Sequence, residues 1–195
     1  MDIVIIKYNA GNVVSVINTL NRLGVEPVLS DDPDVIRKAD KVIFPGVGEA
    51  STAMNYLRQR QLDKLIVELT QPFLGICLGQ QLMCRYTEEN DTQCMGIFDL
   101  PVKKFEPKLK VPHMGWNKLF DMQGPLFNGI ADEAYIYFVH SYYCEVGPET
   151  IAKSDYVNHF SAALHRDNFY AIQGHPEKSG LTGQRFLENF LNLEK

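Results

Sequence analysis

The sequence has no strongly basic stretch, and its formal net charge is -5 over 195 residues. Without a cluster of Lys and Arg there is no electrostatic footprint for a phosphate backbone, so no nucleic-acid partner is expected. Long apolar runs are also missing. No stretch approaches the roughly 20 residues that cross a bilayer as a helix, so no membrane partner is expected either. The opening Met1-Asp2-Ile3-Val4-Ile5-Ile6 has no basic residues ahead of its apolar run, so a secretory signal is not expected. Cysteine is scarce: four residues, at 77, 84, 94 and 144, with no C-x-x-C spacing. That argues against a disulfide framework or a zinc site and suits reduced thiols in the cytoplasm, although Cys84 and Cys94 could pair in principle. No cofactor and no metal are expected. Repeats, low-complexity tracts and linkers are absent too. Residues 1–195 are therefore read as one domain, of a length that can bury one core.

What is present in the first half is an alternation of short apolar runs and helical patterns. Strands are expected at Ile3–Ile6, Val25–Leu29, Lys41–Phe44 and Phe73–Ile76. Between the first two lies a helix with Val13, Val16, Ile17 and Leu20 on one face, stopped by Gly24. Asp31 or Asp32 with Pro33 starts a second, short helix. Two more follow, one from about Ala50 to Arg58 and one with Leu62, Leu65, Ile66 and Leu69 on one face. This order predicts an α/β fold with a mostly parallel central sheet flanked by helices. The second half changes character. Gly96–Lys104, Asn117–Phe120, Tyr135–Val146, Thr150–Ser154, Ser161–His165 and Tyr170–Gln173 read as strands, with hairpin-like turns at Gly147-Pro148 and Arg166-Asp167-Asn168. They predict antiparallel strands in the C-terminal half, as an extension of the same sheet or as a second small one. A helix over Ser179–Leu193 closes the chain, with Phe186, Leu187, Phe190 and Leu191 facing inward.

The chain is organised around Pro72–Gln81. Phe73 to Ile76 reads as a buried strand, Leu78 to Tyr86 as a helix, and Cys77 stands at the junction with Gly75 and Gly79 two residues to either side. That is the glycine spacing of a nucleophile elbow, with Cys in place of Ser. A tight strand-to-helix turn strains the nucleophile's backbone and leaves no room for a Cβ on its close neighbours. The helix N-terminus then faces the sulfur, where its free N–H groups favour thiolate and can hold a developing oxyanion. The bland alternative is a buried structural Cys between packing glycines.

A Cys nucleophile needs a base, and the base needs an orienting group. Gln173-Gly174-His175-Pro176-Glu177 offers both: His175 follows a strand, and Glu177 lies two residues on, where it can turn back on the imidazole. His113, His140 and His159 have no carboxylate at comparable spacing, and the isolated His159 and His165 are read as structural.

Gly75-Ile76-Cys77-Leu78-Gly79-Gln80-Gln81 with the distant His175-Pro176-Glu177 resembles the class I, triad-type glutamine amidotransferases. Further stretches narrow the resemblance to the glutaminase subunits of imidazole glycerol phosphate synthase: Tyr8-Asn9-Ala10-Gly11-Asn12 with Val14-Ser15-Val16, Pro45-Gly46-Val47-Gly48, Pro112-His113-Met114-Gly115-Trp116-Asn117, Tyr137-Phe138-Val139-His140-Ser141-Tyr142, and Lys178-Ser179 after the His-Pro-Glu. The resemblance runs from the first strand to the last helix. It implies hydrolysis of glutamine to glutamate and ammonia through a glutamyl thioester, with Cys77 as nucleophile, His175 as base and Glu177 as its orienting group. It implies an oxyanion hole from the Leu78 N–H and the segment Gly46, Val47 and Gly48. Gln81, Ser141 and Tyr142 would hold the substrate's α-amino and α-carboxylate groups. Trp116, Asn117, Tyr137 and Lys178 would face a partner, a (β/α)8-barrel cyclase subunit that uses the ammonia in histidine biosynthesis.

The pattern departs from the family in three places. Gly174 stands where an aromatic residue is common, Lys7 where an Asp is common and Asn9 where a Gly is common. Competing readings are another triad amidotransferase serving anthranilate, pyridoxal phosphate or nucleotide synthesis, an α/β Cys hydrolase acting alone, and a silent docking module. The first shares the elbow and His-Pro-Glu but lacks the Pro112–Asn117 stretch. Gln81 speaks against the second and the complete Cys77, His175, Glu177 set against the third.

Overall fold

The structure, a computed structural model, describes residues 1–8 and 13–194. Its first half alternates as expected: β1 (Ile3–Ile6), α1 (Val13–Arg22), β2 (Val28–Ser30), α2 (Pro33–Lys38), β3 (Lys41–Gly46), α3 (Ala50–Gln59), α4 (Leu62–Val67), β4 (Phe73–Cys77) and α5 (Leu78–Met83). Then follow β5 (Cys84–Thr87), β6 (Thr92–Gln93), β7 (Phe98–Lys104), β8 (His113–Lys118), β9 (Tyr135–His140), β10 (Tyr142–Cys144), β11 (Thr150–Tyr156), β12 (Asn158–Arg166), β13 (Phe169–Ile172) and α6 (Gly180–Leu191).

The main sheet has seven strands in the order β11-β12-β13-β4-β3-β1-β2. From β13 to β2 all neighbours are parallel, and β12 and β11 add antiparallel pairings on the β13 side. β1, β3 and β4 are buried along their whole length, as both-face-covered parallel strands must be. Their side chains split by the two-residue period of a strand. Val4, Ile6, Val42, Phe44 and Phe73 enter one core with Leu62, Leu65 and Ile66 of α4. Ile3, Ile5, Ile43, Leu74 and Ile76 enter the other with Leu20 of α1 and Phe186, Leu187, Phe190 and Leu191 of α6. Each such large side chain contributes about 1.5–3 kcal/mol when fully buried. Helix α2 is capped by Asp32, whose carboxylate accepts the Asp34 N–H at 2.8 Å, and Pro33 takes the first position. Gly24 follows α1 at φ 78°, the left-handed stop its position suggested.

Both expectations for the second half are realised. β11 and β12 extend the main sheet, while β10-β7-β5-β6 form a four-stranded sheet and β8-β9 a two-stranded one. Several boundaries differ from expectation. The second strand begins at Val28, because the Val25 N–H still bonds back to Leu20 of the helix end. The elbow helix stops at Met83 rather than Tyr86, because Cys84–Thr87 pairs with β7 and β6. The strand expected at Asn117–Phe120 is shifted to His113–Lys118. Tyr135–Val146 is two strands, not one. β9 pairs with β8, β10 pairs with β7, and the chain changes sheet at Ser141. The turn at Gly147-Pro148 therefore carries the chain from one sheet to another instead of closing a hairpin. Arg166-Asp167-Asn168 does close one, between β12 and β13, with Asp167 at φ 55°. Cys84 and Cys94 are not bonded; all four cysteines are free thiols, and Cys84 lies instead against Cys144, sulfur to sulfur 3.5 Å. Among the described residues no helix is long and apolar enough to cross a membrane.

Candidate active site

Cys77 ends β4 and precedes α5 at φ 56°, ψ −109°, a backbone state few side chains adopt. Its glycine neighbours are there for space. A Cβ on Gly79 would run into the Phe44 carbonyl, and one on Gly75 would meet the Met83 sulfur. Helix α5 has only six residues, so it acts on the sulfur through its first free N–H groups rather than a long dipole. Cys77 is 6% exposed.

The sheet brings the remote histidine to it. β13 pairs in parallel with β4, Ile172 opposite Ile76, so the chain leaving β13 emerges beside the elbow. His175 is buried, and its N–H bonds to the Tyr137 carbonyl at 2.8 Å. Pro176–Lys178 then makes one 3-10 turn, which folds Glu177 back so that Oε1 lies 2.8 Å from His175 Nδ1. Both side chains are at most 3% exposed. Burial by itself pulls the imidazole's pKa down. The charge of Cys77 and then the Glu177 carboxylate outweigh it and raise the pKa to about 10. Nε2 makes no hydrogen bond of good geometry, so the pull from Cys77 is chiefly one of charge.

A cavity of about 330 Å³ opens over the sulfur. Its wall gathers Val47, Gly48, Leu78, Gln81, Ser141 and Tyr142 around Cys77, all residues singled out in the sequence. Gly46 is not on the wall. It is the last residue of β3, directly opposite Cys77, with the Tyr8 ring pressed where a Cβ would go. His175 and Glu177 lie off the wall, His175 buried and the Glu177 side chain 3% exposed. Gln81 is 5% exposed and donates from Nε2 to the Tyr142 carbonyl at 3.0 Å and to Gln173 Oε1 at 2.9 Å. Four wall residues carried no individual assignment in the sequence: Glu89, Pro112, Val139 and His140. Glu89 sits in the run Glu88-Glu89-Asn90-Asp91, which reads as a solvated charge cluster. Tertiary structure instead half-buries it, and its carboxylate accepts the Ala50 N–H at 2.8 Å. Burial raises its pKa, with the Ala50 bond opposing.

Behind the wall lies a chain of imidazoles. The Tyr142 carbonyl can only accept, so His140 Nδ1, 2.8 Å away, carries a proton. His140 Nε2 must then accept from His113 Nδ1 at 3.0 Å, which leaves His113 Nε2 bare towards the Asn117 amide at 3.3 Å. Burial lowers His140 to about 3 and His113 to about 4, so both are neutral.

The β8-β9 pair has one buried and one open face. Met114 and Trp116, 62% and 56% exposed, stand opposite Val139 and Tyr137 on the open face, with the Trp116 and Tyr137 rings edge to face at 6.1 Å. Lys178 is exposed nearby, on the turn whose Ser179 Oγ accepts the Tyr137 N–H. Asn117 is turned to the other side by the strand period. Its amide donates to the Asp155 carbonyl at 2.8 Å as well as facing His113. At Gly174, Ile136 fills the place a side chain would take. Lys7 is exposed, its N–H bonded to Ser30, and Asn9 lies outside the described residues. Among the described residues no three His, Cys, Asp or Glu side chains converge as for a metal ion.

A buried Cys-His-Glu set at the ends of adjacent parallel strands is the architecture of a triad amidotransferase, and the chain matches the family Glutamine amidotransferase class-I over residues 4–193. It belongs to that family and is an enzyme of that class. Its fold is shared by PurLQS from Thermotoga maritima, at TM-score 0.75 and 16% identity over 98% of this chain and 97% of that one. Full-length relatives narrow the family. The imidazole glycerol phosphate synthase subunit HisH of Bacteroides fragilis (strain YCH46) is 56% identical, over 99% of this chain and all of the relative. The HisH subunit of Escherichia coli (strain K12) is 48% identical over the same shares. Within the class, the chain belongs to the HisH subunits.

Proposed function

We propose that this chain, as one domain, hydrolyses glutamine for an imidazole glycerol phosphate synthase in the cytoplasm and hands the ammonia to a (β/α)8-barrel cyclase subunit. Cys77 Sγ attacks the γ-carboxamide carbon. His175 takes the thiol proton and passes it to the departing ammonia as the C–N bond breaks, leaving a glutamyl thioester. Water, deprotonated by His175, then attacks the thioester, and glutamate leaves as the sulfur is released. Glu177 holds the imidazole by Nδ1 and stabilises its charged form. The Leu78 N–H and the Val47–Gly48 segment receive the oxyanion; losing one such donor costs on the order of a hundredfold or more in rate.

The neighbours of Gln81 suggest how the substrate's other end is held. Both of its N–H bonds are committed, to Tyr142 and Gln173. What it offers glutamine is Oε1, an acceptor for the α-ammonium group. Glu89 supplies the opposite charge on the same wall, and Ser141 and Tyr142 border the α-carboxylate. The open face of β8-β9, with Met114 and Trp116, adjoins the cavity at Val139 and suits a partner's contact surface.

The observation that carries this reading is the His175–Glu177 contact of 2.8 Å buried beside Cys77. The test is ammonia release from glutamine by wild type and Cys77→Ala, each with and without the barrel cyclase and its nucleotide ligand. Turnover by wild type only with the liganded partner, and none by Cys77→Ala, is the expected result, because the Pro45–Gly48 segment completes its arrangement on assembly. Fast turnover by the free chain removes the partner-dependent part. No turnover in an intact complex removes the catalytic part.

A further inference from the structure

Gln173 has no role in the triad, yet its amide nitrogen is 3.7 Å from the Cys77 sulfur and its side chain is fully buried. We infer that Gln173 positions the nucleophile by donating an amide N–H to the Cys77 sulfur, with the direction of that donation dictated by the Tyr142 carbonyl through Gln81. This rests on the reading of Cys77 as the nucleophile.

A primary amide can face either way, and its partners decide which. The fixed point is the Tyr142 carbonyl, which only accepts. It receives His140 Nδ1 at 2.8 Å and Gln81 Nε2 at 3.0 Å. Gln81 must therefore present its nitrogen there, and the second hydrogen of that nitrogen goes to Gln173 Oε1 at 2.9 Å. With its oxygen turned to Gln81, Gln173 can only turn its nitrogen to the sulfur. Reversing Gln81 sets its oxygen against the Tyr142 carbonyl oxygen, and reversing Gln173 sets donor against donor at Gln81 and an oxygen against the sulfur, both in a buried site. The main chain of Gln173 is also anchored, its N–H bonded to the Ala162 carbonyl at 2.8 Å.

The consequence is chemical. An N–H bond to sulfur is stronger when the sulfur is an anion, so this contact favours thiolate over thiol. It also holds Sγ in place between the Gln173 amide and the Val139 carbonyl, which is 4.0 Å away at the limit of a thiol hydrogen bond. Gln173 touches the reacting sulfur but moves no proton, so it is a positioning residue.

The test is the rate of alkylation of Cys77 by iodoacetamide against pH in the full chain, with Cys77→Ala as the blank. Cys94 and Cys84 add little near neutral pH, because burial pushes Cys94 up to about 12 and raises Cys84 well above its usual range, and Cys144 is fully buried and subtracted by the blank. Gln173→Met keeps the length of the side chain and removes the donor. It should move the profile up by about one pH unit, which slows alkylation near neutrality about tenfold. Gln173→Glu places a carboxylate oxygen against the sulfur and should move it further. A role in packing alone alters thermal stability and leaves the Gln173→Met profile on that of wild type, and that result overturns the inference. Should Gln173→Met not fold, Gln173→Leu, which also lacks the donor and adds no charge, decides in its place. A shifted profile in a chain that releases no ammonia with its partner overturns the proposed function but leaves Gln173 as the sulfur's donor.

Discussion

His113 Nδ1 lies 3.0 Å from His140 Nε2, so one proton sits between two buried imidazoles and a second has nowhere to go. Burial keeps the folded-state values at about 4 and about 3, both below the ordinary 6.5. A depressed value means that the contribution to stability is fully present above about pH 6.5. It is lost as pH falls, because the unfolded chain takes up protons that the native state refuses. His140 alone should cost about 2 kcal/mol between pH 7 and 5. Urea unfolding at the two pH values checks this. His140→Asn, which keeps a donor for Tyr142, should lose less on acidification than wild type, though it starts lower. An equal loss in both would contradict the assignment.

Glu177→Gln tests the other imidazole. His175 is raised to about 10, against the effect of burial, by the charges of Cys77 and Glu177. A raised value contributes stability that is fully present below about pH 6.5 and lost as pH rises through about 10. Removing the Glu177 charge should bring that loss to lower pH in alkaline unfolding. Ammonia release should fall by roughly two to four orders of magnitude, as when a triad loses its orienting carboxylate. Unchanged turnover would deny Glu177 that place.

Gly79→Ala should destabilise the chain by about 2–4 kcal/mol, measured by denaturant titration. The new Cβ meets the Phe44 carbonyl, which belongs to the β3–β4 ladder and cannot move aside. Gly48→Ala is the contrast. Nothing lies near its Cβ, but its φ of 124° is one that side chains avoid, so the strain falls on the cavity wall. Its larger effect should be on turnover rather than on unfolding.

Trp116→Ala should leave stability within about 0.5 kcal/mol of wild type, since the ring is exposed. Titration calorimetry with the barrel cyclase should show a loss of about 2 kcal/mol or more, the mark of a buried aromatic anchor. Unaltered affinity would move the interface away from the open face of β8-β9.

Much of the fold could be read locally. The unbroken burial of Ile3–Ile6 and Phe73–Cys77 follows from apolar runs too short to be helices, and Phe186, Leu187, Phe190 and Leu191 face inward at helical spacing. Boundaries were harder. The elbow helix reads on to Tyr86, but pairing with β7 wins Cys84–Thr87 for a sheet. The run from Tyr135 to Val146 has no Gly, Pro, Asn or Asp to show that it changes sheet at Ser141.

Cys77, with Gly75 and Gly79, and the pair His175 and Glu177 were set by the sequence alone, because a tight elbow and a two-residue reach are local requirements. That His175 stands beside Cys77, 98 positions earlier, follows from the parallel register of β13 on β4. Glu89 on the cavity wall, Asn117 turned from the open face, and Gln173 aimed at the sulfur were likewise decided by tertiary structure. Their placement depends on which strand lies next to which, and on a single carbonyl that can only accept. Neither of these is a property of neighbouring residues in the chain.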